Sequence, residues 1–205
     1  MLMTLKRQSS PKRKLMTAAR IAAAHLPAGL PPVFFLTDPQ RTPDPASIAR
    51  HLPEGWGIIH RHFGAADAAV GAAKLADISR QRRLRLLIAA DPHLALQVGA
   101  DGVHWPHARL SQSRQWKDRM GLMTASAHSP AELRAIAGFP IDAALVSAIF
   151  PSASPSAGKP LGVPAFRRLA LSAPCPVYAL GGVTAGNAAE VAPFAGLAAV
   201  DGLMR

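Results

Sequence analysis

The chain has 205 residues, 49% of them hydrophobic, which supports one sizeable core and is too short for two ordinary enzyme domains. Its formal net charge is +11, and its one cysteine, Cys175, excludes an intrachain disulfide and a cysteine-built zinc site. Arg, Lys, Asp and Pro interrupt every hydrophobic stretch before it reaches the length of a membrane span, so the reading is a soluble protein of a reducing cytoplasm.

Much of the charge is N-terminal. Lys6, Arg7, Lys12, Arg13, Lys14 and Arg20 all precede the first acidic residue, Asp38, and surround Ser9, Ser10 and Pro11 in a stretch that reads as a mobile basic arm. A transit peptide has the same composition; the reading preferred here is a folded helix over Leu15–Leu26, packed on the rest of the chain. Without interleaved aromatics the arm is no base-stacking surface, and nucleic acid is not the favoured partner. Residues 1–30 are accordingly read as arm and helix, and residues 31–205 as one domain.

Strand-like runs then occur at Val33–Thr37, Trp56–Arg61, Leu84–Ala90, Gly102–His104, Leu122–Ser126, Ala143–Ser147, Val177–Leu180 and Ala198–Val200. Most are continuously apolar, the pattern of strands buried on both faces. Between them lie segments with helical spacing at Ala65–Arg83, His93–Val98, Pro130–Gly138, Pro164–Leu171 and Gly186–Phe194. Ser129-Pro130-Ala131-Glu132 is a helix start with a serine cap, a first-turn proline and an acidic third position. The cluster Arg80, Arg82, Arg83 and Arg85 ends a helix, where cations suit the dipole. About eight strands alternating with helices favour a (β/α)8 TIM barrel over an open sheet, and no Gly-x-Gly-x-x-Gly turn follows a strand.

In such a barrel, chemistry sits just past the strand ends. Those positions are Asp38, Arg61, Asp91, His104, Ser126 with His128, Ser152 with Ser154, Gly181-Gly182 and Asp201. The glycine-bearing turns at Gly99–His104 and Gly181–Thr184 suggest a phosphate grip, because glycine lets an anion approach backbone amides. His60 and His62 flank Arg61 at strand spacing and point to one face, which in a barrel is covered by helices; ordinary hydrogen bonds are the preferred reading over a metal site. Asp101 and Asp142 each precede a strand at the opposite end, where a turn or capping role is expected, and Cys175, between two prolines, reads as structural.

Taken in order, Thr37-Asp38, Leu87–Asp91, Val98–His104, Ser126–Ser129, Ile149–Ser152 and Ala179–Thr184 resemble the motif series of thiamine phosphate synthases and the related thiazole tautomerases, from about Val33 to the end of the chain. The resemblance implies a (β/α)8 enzyme that joins hydroxymethylpyrimidine diphosphate to a thiazole phosphate with Mg2+. In that chemistry the diphosphate leaves first and the thiazole nitrogen captures the pyrimidine cation. It also implies Arg61 on the diphosphate, Asp91 as magnesium ligand, Ser126 and Gly181-Gly182 at the thiazole phosphate, and Ser152 and Ser154 in place of threonine hydroxyls.

Against that pattern, Ile59 and Phe63 replace a glutamine and a lysine, Ala90 an asparagine, Arg109 a second magnesium aspartate, and Pro155 another lysine. Asp201 falls where a serine is usual, and a carboxylate there disfavours a phosphate unless it is turned away. The tautomerase histidine is Ala148 here, which leaves His128 or His104 as candidate proton shuttles. The synthase-type enzyme therefore stands beside two alternatives, a diverged or tautomerase-like enzyme that binds thiazole phosphate, and a noncatalytic barrel. The last barrel helix is missing from the pattern, so helix Leu15–Leu26 or a second subunit of a homo-oligomer is expected to cover the final strand.

Overall fold

The computed structural model describes residues 10–152, 154 and 158–202. Strands β1 (Val33–Leu36), β2 (Gly57–His60), β3 (Arg85–Ala89), β4 (Gly102–Trp105), β5 (Leu122–Ala127), β6 (Ala143–Val146), β7 (Val177–Ala179) and β8 (Gly196–Ala199) pair in parallel in chain order. Pairing of β1 with β8, with Val33 opposite Leu197, closes the barrel. The (β/α)8 expectation is met.

Alternate residues of these apolar strands serve two cores. Phe34, Leu36, Ile59, Leu87, Leu145 and Tyr178 fill the barrel interior, while Phe35, Ile58, Ile88 and Val103 belong to the larger core shared with the helices. The rings of Phe34 and Tyr178 meet with centroids 4.9 Å apart, in space left by the missing side chains of Gly57 and Gly196. The buried Tyr178 hydroxyl donates to the Pro31 carbonyl at 2.6 Å.

Among the described residues seven α-helices surround the sheet: α1 (Pro11–Ala23), α2 (Pro45–Ala49), α3 (Ala68–Arg82), α4 (Pro92–Val98), α5 (Pro130–Ala135), α6 (Val163–Leu171) and α7 (Ala188–Val191). Helix α1 starts earlier than expected, because Ser10 caps the Arg13 N–H and Pro11 occupies the first turn. Lys12, Arg13 and Lys14, assigned from sequence to a mobile arm, thus lie on a helix; Lys6, Arg7 and Ser9 lie outside the described residues. Leu15, Ala18, Ala19 and Ala22 bury the inner face of α1 against α7 and β8, so this helix covers the final strand.

Two elements were not expected. Helix α2 is too short to show a period, and His107–Trp116 forms a 3₁₀ segment whose buried residues Leu110, Ser113 and Trp116 recur every third position.

At the N-terminal rim, Asp101 accepts from the Leu86 N–H and Asp142 from the Met123 N–H, both at 2.7 Å. Each carboxylate stitches neighbouring strands, the structural role expected of them. The half-buried Cys175 thiol is pushed up to about 11 by burial, which keeps it protonated and unreactive.

Candidate active site

A cavity of about 1030 Å³ opens at the C-terminal ends of the strands, and the loops after all eight contribute to its wall. It gathers Arg61, Asp91, Ser126, His128, Ser152, Ser154, Gly181, Gly182 and Asp201, which the sequence places in separate segments.

Arg61 follows β2 directly and is held from three sides. Its backbone N–H donates to Thr37 Oγ1 at 2.9 Å, its Nε to the Thr37 carbonyl at 2.7 Å, and its Nη2 to Asp38 Oδ2 at 3.2 Å. Burial disfavours the charged guanidinium and lowers its pKa, and the Asp38 carboxylate opposes that shift. Asp91 caps α4, with Oδ1 accepting from the Leu94 N–H at 2.9 Å. Its Oδ2 lies 3.9 Å from His62 Nε2.

His62 therefore faces the cavity, which His60 does not line, although the two ring centroids stay 6.1 Å apart. Strand β2 ends at His60, which stays on the helix-facing side with Nδ1 3.2 Å from Thr37 Oγ1, whereas the chain turns and carries His62 into the cavity wall. This corrects the expectation of a shared face.

Between β3 and α4, Ala90 has a φ of 59°, a left-handed conformation that asparagine adopts at lower cost than alanine. Its carbonyl accepts from Arg109 Nη1 at 2.8 Å. Arg109 Nε and Nη2 both donate to Gln112 Oε1, at 3.1 and 2.8 Å. Across the β8–β1 seam, Arg41 and Asp201 form an ion pair. The Asp201 carboxylate is thus compensated within the wall by a residue that the sequence reading passed over.

The remaining wall is built from hydroxyls and backbone. The buried His104 ring spans Thr124 Oγ1, 2.9 Å from Nδ1, and Ser126 Oγ, 2.8 Å from Nε2. Burial first, then the nearby Arg61 and His128 charges, lowers its pKa to about 3. It stays neutral near pH 7 and is a poor base, so the proton-shuttle reading does not suit it; its ring instead orients the Ser126 hydroxyl. Thr124, two residues before Ser126 on the same face of β5, was legible from strand periodicity and was missed. His128 is exposed, with Nδ1 2.9 Å from Ser147 Oγ.

The Ser154 N–H donates to Ser152 Oγ at 3.3 Å, and Pro155 lies outside the described residues. Gly181 and Gly182 have φ of 88° and 69°. A Cβ on Gly181 would stand 2.8 Å from Ala148 Cβ, and one on Gly182 would run into the Pro151 carbonyl, so the loop after β6 demands both glycines. Their carbonyls are bound, by the Phe150 N–H at 3.0 Å and Asn187 Nδ2 at 2.9 Å. Among the described residues, no protein acceptor takes their own N–H groups.

The thiamine monophosphate synthase family model matches residues 33–203. The chain is 29% identical over 165 residues to a thiamine-phosphate synthase of Herpetosiphon aurantiacus, covering 78% of this chain and 80% of that protein. It is 30% identical over 138 residues to a thiamine biosynthesis bifunctional protein of Symbiobacterium thermophilum, covering 65% of this chain and 29% of that protein. In fold it is similar to a thiamine phosphate pyrophosphorylase from Pyrococcus furiosus, with a TM-score of 0.68 at 22% identity over 83% of this chain and 85% of the other. With the whole barrel spanned by the family match and its eight strand ends converging on one cavity, the chain belongs to the thiamine monophosphate synthase family and is synthase-like.

Proposed function

We propose that this chain joins hydroxymethylpyrimidine diphosphate to a thiazole phosphate, releasing diphosphate, in the cytoplasm, with residues 31–205 as the catalytic barrel. The observation that carries the reading is that one cavity holds Arg61 on one side and Ser126 with the Gly181 and Gly182 amides on the other. In a dissociative displacement negative charge accumulates on the leaving diphosphate, which Arg61 is placed to receive as a preorganised cation. The second substrate's phosphate suits the hydroxyl of Ser126, oriented by His104, and the free amides after β7, with Ser152 and Ser154 as further hydroxyls at the rim.

Mg2+, which the family resemblance implies, would add positive charge at the diphosphate. The residues here do not fit a protein-held ion. Asp91 has Oδ1 engaged by the Leu94 N–H, Asp201, the other carboxylate on the cavity wall among the described residues, holds Arg41, Asp38 holds Arg61, and Arg109 stands on the carbonyl next to Asp91. No group of three or more metal-ligating side chains forms among the described residues.

The test is product formation from the two substrates by the purified chain. Arg61→Ala is expected to weaken diphosphate-substrate binding by about 1.5–3 kcal/mol and lower turnover, leaving thiazole phosphate affinity unchanged. No product under any condition, with thiazole phosphate still raising the melting temperature, would replace the synthase by a thiazole-phosphate-binding barrel. The existing Asp38 partner of Arg61 is the observation that favours that second reading.

A further inference from the structure

Among the described residues three arginines line the cavity, and they differ in how their charge is met. Arg41 pairs with Asp201 and Arg61 with Asp38. Arg109 meets only neutral acceptors among the described residues: the Ala90 carbonyl and the Gln112 side-chain oxygen. These contacts hold the guanidinium in place without neutralising it. A guanidinium carries five N–H donors in a planar fork, so donors remain for an anion after the Ala90 and Gln112 bonds are made.

The position of this fixed charge bears on cations as well. The Ala90 carbonyl immediately precedes Asp91, the cavity carboxylate that lacks an arginine partner among the described residues. A divalent ion at Asp91 would be repelled by the Arg109 charge, whereas a polyanion in the cavity that Arg109 and Arg61 both line would be attracted by both. The arginine fork suits phosphate oxygens, which it binds by paired N–H bonds.

We propose that Arg109 is a built-in cation for the diphosphate of the ligand, acting with Arg61, so that this chain binds diphosphate without a divalent metal. The inference rests on the synthase reading for the identity of the ligand. It assigns to the protein's own side chain the charge that a metal would bring.

The experiment is calorimetric titration of the full chain with inorganic diphosphate, in EDTA and again with Mg2+. Saturable binding in EDTA is expected, weakened about tenfold or more by Arg109→Ala and partly recovered by Arg109→Lys, which restores the charge without the fork. Binding that requires Mg2+, no binding under either condition, or EDTA-tolerant binding unchanged in Arg109→Ala would each overturn the proposal. The wild-type comparison needs no variant to fold. Product formation with Mg2+-dependent binding would sink this inference and keep the synthase reading; EDTA-tolerant, Arg109-dependent binding without product would do the reverse.

Discussion

The cavity wall contributed by the loops after β1 to β4 carries Arg41, Arg61, His62, Asp91 and Arg109, whereas the wall after β5 to β7 carries Ser126, His128, Ser147, Ser152, Gly181 and Gly182. The first wall is charged, and two of its arginines are paired with aspartates; the second has no acidic or guanidinium side chain among its described residues. The difference is one of how an anion site is encoded. The charged half depends on side chains whose exchange moves whole charges, such as Arg61 and Arg109. The other half depends on backbone shape, which the loop after β6 enforces sterically on Gly181 and Gly182. A backbone-built half of a site tolerates side-chain exchange better than a half built from charged groups.

Gly182→Ala is the severest way to break the backbone half. The new Cβ would meet the Pro151 carbonyl at a φ of 69°, with an expected loss of about 3 kcal/mol of stability and of thiazole phosphate binding. Denaturant midpoints and ligand titration check this; an unaltered midpoint would refute the steric account of the loop.

Acidification tests His104, which stands where the two halves meet. Its pKa of about 3, and that of about 4 for His60, also lowered chiefly by burial, lie below the ordinary 6.5. Below pH 6.5 the unfolded chain takes up protons that the folded chain refuses, so the stability from these histidines is present above that value and is lost as pH falls toward 4 and 3. Each is expected to cost about 2 kcal/mol at about pH 5. His104→Gln should flatten the pH dependence of the denaturant midpoint by one histidine's share, and an unchanged slope would show that His104 is not the group refusing the proton.

Asp201→Ser gives the smallest effect and sharpens the contrast at the seam. Removing the carboxylate frees Arg41 for a phosphate, and thiazole phosphate should bind more tightly by about 0.5 kcal/mol while diphosphate affinity stays the same. Weaker thiazole phosphate binding would show that the ion pair supports the site instead of competing with it.

Much of the barrel was legible because burial on both faces leaves a local mark, runs such as Leu84–Ala90 and Ala143–Ser147 with few polar residues. The helix start at Ser129 was legible as a cap for the same local reason, whereas the Asp91 cap on α4 was not read from the sequence. The segment His107–Trp116 was not, since its buried residues follow a three-residue period and its other positions are polar. Site residues at strand ends could be named from their order along the chain, yet their partners could not.

The sequence by itself determined the architecture and the positions that face the mouth, because alternation, caps and glycine turns act between near neighbours. Only the tertiary structure decided the electrostatics. The Arg41–Asp201 pair joins residues 160 apart, Arg61 is locked by Thr37 and Asp38 across a strand pair, and Arg109 is left with neutral partners beside Asp91. Charges interact through space, and which of them meet is set when closure of the barrel brings β8 beside β1.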